Sequence, residues 1–356
     1  MSDSTASAPA TATASGRLAW IDTAKGIAIT LVVLFHSTLY LGLAGAVGPL
    51  TVLNPLLDTF RMPLFFFMSG VLGARAVALP YRGLFQRRLV LLLWLYVVWV
   101  IAQQLYMQAM PPISPGAAPD SWWHLIDFLV IPNPNLWFIY ALPIFFTVAW
   151  LTRRLPPVIP LAVAALVAVG FGTGFLHTGT AWDKMGRYFV FFLLALLIGD
   201  WVRSVAPRAT WWHALAVTAV YAVTVAAAVK FQLLHVPFVL LGLGILAVVV
   251  GIAVSVVLAR WRGFGILARL GSRTLPIYLV HTFPMIAVAA VIVATGVVIP
   301  SVVAAVVPIL LCAASIAIAL AVYTPLRDVP GIFTVPVASW ATSSTTPARR
   351  QPDAVR

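Results

Sequence analysis

The sequence predicts an all-α, polytopic integral membrane protein of about ten transmembrane helices, with both termini cytoplasmic. Three observations carry this. Of 356 residues, 62% are hydrophobic and only 9% charged, where a soluble domain carries roughly 25% charged residues. Mean hydropathy is +1.03, concentrated in runs near the 20 residues, about, that a helix needs to cross a bilayer. The basic residues sit in alternate short connections between those runs, the pattern of cytoplasmic loops.

Taken in order, residues 1–16 are rich in Ser, Ala, Thr and Pro. With no positive n-region and no cleavable apolar core, they read as a disordered cytoplasmic tail rather than a signal peptide. Windows of about 19 residues then give ten spans, at 18–43, 52–74, 84–107, 135–151, 157–176, 187–202, 211–229, 236–259, 275–295 and 299–323. Together they form a transmembrane domain over 17–325, followed by a solvated cytoplasmic tail over 326–356. Seventeen of the 22 Lys and Arg residues fall on the N-terminal side. Lys184, Arg187 and Lys230 fall opposite, and Lys25 and Arg61 lie within spans. The net charge of +13 therefore belongs to topology, and nucleic acid is not an expected partner. The longest outer connection, 108–134, is Pro-rich. Its amphipathic stretch from Trp122 to Val130 is expected to lie on the membrane surface and cap an outward-facing cavity.

Several chemistries are excluded. Cys312 is the sole cysteine and lies in an apolar run, so disulfides and Cys-ligated metals lack ligands. There is no glutamate, and the nine aspartates are scattered. That leaves no close carboxylate pair for glycosidase chemistry and no carboxylate metal cage.

Ionisable residues inside spans are costly and mark function by default. The first span, WIDTAKGIAITLVVLFHS, holds Asp22, Lys25 and His36. The eleven-residue step from Lys25 to His36 is close to three helical turns and puts them within about 20° of one face. Asp22 and Lys25 admit two readings, an interfacial ion pair or part of a site. His36, deep in the bundle, reads as a proton-handling group. In the second span Arg61 must meet a partner or water, and Asp58 at i−3 competes with a substrate for it. Ser69 next to Gly70 reads as a packing pair or a substrate contact. Arg82, Arg87 and Arg88 cluster on the cytoplasmic face, where headgroups or a polyphosphate ligand would suit them equally. His281 lies about 12 Å inside its span, structural or substrate-facing.

Three segments, WIDTAKGIAITLVVLFHS, FRMPLFFFMSGVL and NLWFIYALPIFF, with IYLVH near the end, together resemble the membrane-bound acyltransferase 3 family. The basic residue, ten-residue gap and histidine of the first segment, Lys25 and His36, are the most specific part. The resemblance implies about ten helices, a bacterial inner membrane location, and transfer of an acyl group, commonly acetyl from acetyl-CoA, onto a hydroxyl of an envelope carbohydrate or glycolipid. It implies His36 as catalytic histidine with Lys25 beneath it, and Arg82, Arg87 and Arg88 near the donor. Acyl-CoA enters as co-substrate, with no tightly bound cofactor and no metal. In the branch resembling fucose O-acetylases the second segment often reads FHMPLFF, and Arg61 takes that histidine position here. Independently, a neutral imidazole can take the proton of a hydroxyl attacking a thioester, and a nearby cation can stabilise the oxyanion.

Two other classes compete. In a proton-coupled transporter, His36 and Asp22 would relay protons, although paired broken helices in related halves are not evident. A non-catalytic scaffold gives no reason for a titratable residue at mid-span.

Overall fold

The computed structural model describes residues 12–114 and 121–336, and every regular element among them is helical. Helices α1 (Ala12–Leu43), α2 (Asn54–Val77) and α3 (Tyr81–Ala109) come first. Next come α4 (Trp137–Thr152), α5 (Val158–Thr173), α6 (Ala181–Val205), α7 (Trp211–Lys230) and α8 (Val239–Arg260). A short helix, α9 (Gly265–Ser272), precedes α10 (Thr274–Thr295) and α11 (Ser301–Leu326). Apart from α9, these match the ten predicted spans one for one. Eight are long and apolar enough to cross a membrane. Helices α4 and α5 have 16 residues each, roughly 24 Å against a core of about 30 Å. Local chemistry stops them short. Asn133 Oδ1 accepts from the N–H groups of Asn135 and Leu136 just before α4, and α5 ends at Gly174 in the left-handed region, φ 80°.

Three boundaries differ from expectation. Helix α1 reaches back to Ala12, into the stretch read as a tail, and continues a helix anchored by buried Trp20 and Ile21. The rest of that tail, 1–11, lies outside the described residues, as do 337–356. Helix α6 begins at Ala181 rather than 187, since Thr180 caps it by accepting from Trp182 N–H. This early start puts Lys184 on the helix instead of in the loop and Arg187 well inside it rather than at its first residue. Beyond α11 the chain is not simply solvated. Trp94 and Trp99 of α3 donate to the carbonyls of Gly331 and Ile332 at 2.8 and 2.9 Å, and Phe333 is buried between Trp99 and Tyr323.

Of the amphipathic stretch in the outer connection, only one helical turn forms, His124–Asp127. It is tied down by Tyr96 Oη donating to Phe128 and Trp182 Nε1 donating to Val130.

Helix α1 packs on α2, α8, α9, α10 and α11. Its crossing with α9 is backbone on backbone. A Cβ on Gly26 would strike the Leu267 carbonyl, and one on Gly271 the Asp22 carbonyl. Only glycine permits that approach. Gly271→Ala is therefore expected to destabilise the detergent-solubilised protein by about 1–3 kcal/mol, seen as a lowered thermal unfolding midpoint. Gly42→Ala, which meets nothing within 4 Å, should leave that midpoint unchanged or slightly raised.

Candidate functional site

The interior polar chemistry converges where α1, α2, α6 and α10 meet, toward the arginine-poor end of the bundle. His36 on α1 is 6% exposed and His281 on α10 fully buried. The rings meet edge to face, with centroids 4.9 Å apart. His36 Nδ1 lies 2.9 Å from the Val32 carbonyl and 3.2 Å from His281 Nε2. His281 Nδ1 lies 2.8 Å from the Tyr278 carbonyl and 3.1 Å from that of Ile277.

Carbonyl oxygens only accept, so in the neutral rings each Nδ1 carries the hydrogen. His281 then presents a bare Nε2, which accepts from His36. The Nδ1–H of His36 is shared between Val32 and His281, and its own Nε2 is left as a lone pair. Sequence explains the bend that brings His281 there. Pro284 offers no N–H to the carbonyl four residues back, and α10 is interrupted at His281.

His36 lines a cavity of about 230 Å³ whose other polar groups are Asp58, Arg61, Lys184, Arg187, Tyr188 and Tyr278, with Asn135 at the mouth of α4. Arg61 is buried, stacks on the Phe35 ring at 3.7 Å from its centroid, and pairs with Asp58. Tyr278 Oη donates to the Asn135 carbonyl at 2.8 Å and accepts from Phe138 N–H at 3.2 Å, while Asn135 Nδ2 donates to Tyr40 Oη. These bonds clamp the start of α4 against α1 and α10. A second cavity, about 260 Å³, shares Asp58, Arg187 and Tyr188 with the first and opens toward α5 and α8.

Of the residues singled out from sequence, His36, Arg61 with its partner Asp58, and His281 come together. Lys25, Asp22, Ser69, Arg82, Arg87 and Arg88 do not join them. Lys25 pairs with Asp22 at 3.0 Å, some three turns away at the arginine-rich end. Ser69 Oγ donates to the Phe65 carbonyl one turn back and lines neither cavity. Its neighbour Gly70 is where α2 touches α6, since a Cβ there would meet Phe192 and Ala195. Arg82, Arg87 and Arg88 are exposed at the arginine-rich end, the last two on a π-helical turn, Phe85–Leu89, a feature that recurs at functional sites. Sequence reasoning missed Lys184, Arg187, Tyr188 and Tyr278. A signal for the first two was present in Thr180 followed by Asp183, the residues of a helix start.

Residues 18–324 match the acyltransferase domain that defines the acyltransferase 3 family. The inner membrane protein YcfT of Escherichia coli (strain K12) is 29% identical over 174 residues, covering 43% of this chain and 49% of that protein. The chain thus spans about half the length of the curated relative it matches. No solved structure matches.

Tyr278→Phe removes one donor and one acceptor from the clamp and leaves two backbone groups unpaired. The expected cost is about 1–3 kcal/mol, measurable as a lower unfolding midpoint with the helical content of the folded state intact.

Proposed function

The chain belongs to the membrane-bound acyltransferase 3 family, and on that premise we propose that it is an O-acyltransferase of the bacterial inner membrane, moving an acyl group, acetyl in the first instance, from acyl-CoA to a hydroxyl of an envelope carbohydrate or glycolipid. The observation that carries this reading is the His36–His281 contact. It holds the Nδ1 edge of the ring in a fixed tautomer, which leaves Nε2 unprotonated on a residue that lines the cavity.

In this mechanism the acceptor hydroxyl attacks the thioester carbonyl carbon while Nε2 of His36 takes its proton. The tetrahedral intermediate collapses, the C–S bond breaks, and the leaving thiolate recovers that proton from Nε2. The ester forms and His36 returns to its starting state. During the step the imidazolium is stabilised by the Val32 carbonyl and the bare Nε2 of His281, so His281 acts as a positioning residue. Arg61 shares the cavity with His36 and Lys25 does not, which supports Arg61 as the cation nearest the developing oxyanion. Lys25, with Asp22, is then left for the donor side. There Arg82, Arg87 and Arg88 suit the phosphates of coenzyme A, on the side that the positive-inside bias makes cytoplasmic.

Purified protein in nanodiscs, given acetyl-CoA and a glycan acceptor, is expected to release free thiol in step with ester formation. His36→Ala should abolish both while the protein still inserts and unfolds cooperatively; full activity in that variant removes His36 from the reaction. A transporter would instead show substrate counterflow with no thiol released.

Replacing Arg87 and Arg88 together by alanine should raise the KM for acetyl-CoA with little change in kcat. Unchanged donor dependence would return both residues to a purely topological role.

A further inference from the structure

The two cavities at the arginine-poor end are lined by three basic side chains, Arg61, Lys184 and Arg187, and among the described residues by a single carboxylate, Asp58. The acid beside Lys184 in the first turn of α6, Asp183, lines neither cavity and is bound by Thr178 and by His177 at 2.9 Å. Both lining histidines, His36 and His235, add no negative charge in either protonation state. Arg61 is buried and Arg187 half-buried, whereas Lys184 is exposed. Arg61 gives one arm to Asp58 and leaves Nη1 buried without a partner. Lys184 Nζ sits 5.7 Å over the Trp137 ring, in the cavity wall. Arg187 reaches the Phe171 carbonyl with Nη2, and its buried Nε has no partner.

Buried guanidinium hydrogens without acceptors are costly. An oxyanion forms only in passing, so it does not balance the resting site. We propose that the acceptor itself is anionic, with a carboxylate or phosphate ester seated between Arg61, Lys184 and Arg187 so that a neighbouring hydroxyl reaches Nε2 of His36. This rests on the acyl-transfer reading above and narrows it to a substrate class.

The test uses the full chain in nanodiscs of neutral phosphatidylcholine. Methyl 6-O-methylglucoside, methyl glucuronide and methyl glucoside 6-phosphate, which share the 2-, 3- and 4-hydroxyls and lack a free 6-hydroxyl, are offered with acetyl-CoA and thiol release is followed. At least one anionic acceptor should exceed the neutral one about tenfold in kcat/KM, and which one does so separates carboxylate from phosphate ester. Arg187→Gln should bring the anionic-to-neutral ratio to within about twofold, chiefly through KM, and Arg187→Lys should recover part of it. Equal use of the neutral sugar, or a ratio untouched by Arg187→Gln, overturns the proposal.

Binding is read separately, without acetyl-CoA, as a saturable rise in unfolding midpoint on adding methyl glucuronide or methyl glucoside 6-phosphate that Arg187→Gln removes. That rise with no thiol released from any acceptor upholds the anion site and overturns acyl transfer. Turnover of all three sugars without charge preference does the reverse, and neither binding nor turnover overturns the anion site. A rise that follows the phosphatidylglycerol content of the disc assigns the cations to a lipid headgroup and also overturns it.

Discussion

One N–H group, on Nδ1 of His36, organises the centre of this protein. It is shared by a carbonyl of its own helix and by a second imidazole from the far end of the sequence. That sharing has a strict requirement. His281 must offer a bare nitrogen, so its own Nδ1–H must be absorbed by backbone, and it is, by the carbonyls of Tyr278 and Ile277. The bend at His281 and the glycine-dependent approach of α9 to α1 serve the same geometry from opposite ends of α1. In a low-dielectric interior such a chain of bonds is stronger than its exposed equivalent and costlier to leave half made.

Around this centre the bundle separates two kinds of positive charge. At the arginine-rich end the cations are exposed, as the topology of a membrane protein requires. At the opposite end they are few, and one of them, Arg61, is buried and stacked on Phe35, while Lys184 is exposed with its Nζ over Trp137. Stacking lets an aromatic face carry part of what water would otherwise supply, so the Arg61 charge survives away from bulk solvent.

Much of this was legible in the sequence. All ten spans were, because hydropathy over a bilayer-length window is a one-dimensional signal that needs no tertiary knowledge. The pairs Asp22–Lys25 and Asp58–Arg61 were too, since i, i+3 spacing on a helix determines contact. The meeting of His36 with His281 was not. Those residues are 245 apart in the chain, and no local pattern states which face of α10 turns to α1. Lys184 and Arg187 were hidden for a different reason. Hydropathy windows start a helix where apolar residues begin, whereas Thr180 starts it two turns earlier, inside the polar flank. Phe333 was concealed by the Pro, Ser and Thr around it, which disguise a segment that docks through one aromatic ring and two tryptophan hydrogen bonds.

Because Lys25 and His36 ride on one unbroken helix, the gap between them acts as a ruler of about 16 Å. No loop motion can shorten it. A donor gripped near Lys25 can present its acyl carbon to the imidazole only if that carbon hangs from a long swinging arm, as a thioester on a pantetheine-like tether does. A compact donor such as an acyl phosphate, held by the same grip, would leave its carbonyl stranded several turns below the base. On the acyl-transfer reading proposed above, with the donor gripped at Lys25, the length of rigid helix between two side chains would select the shape of that donor before any contact with its acyl group is made.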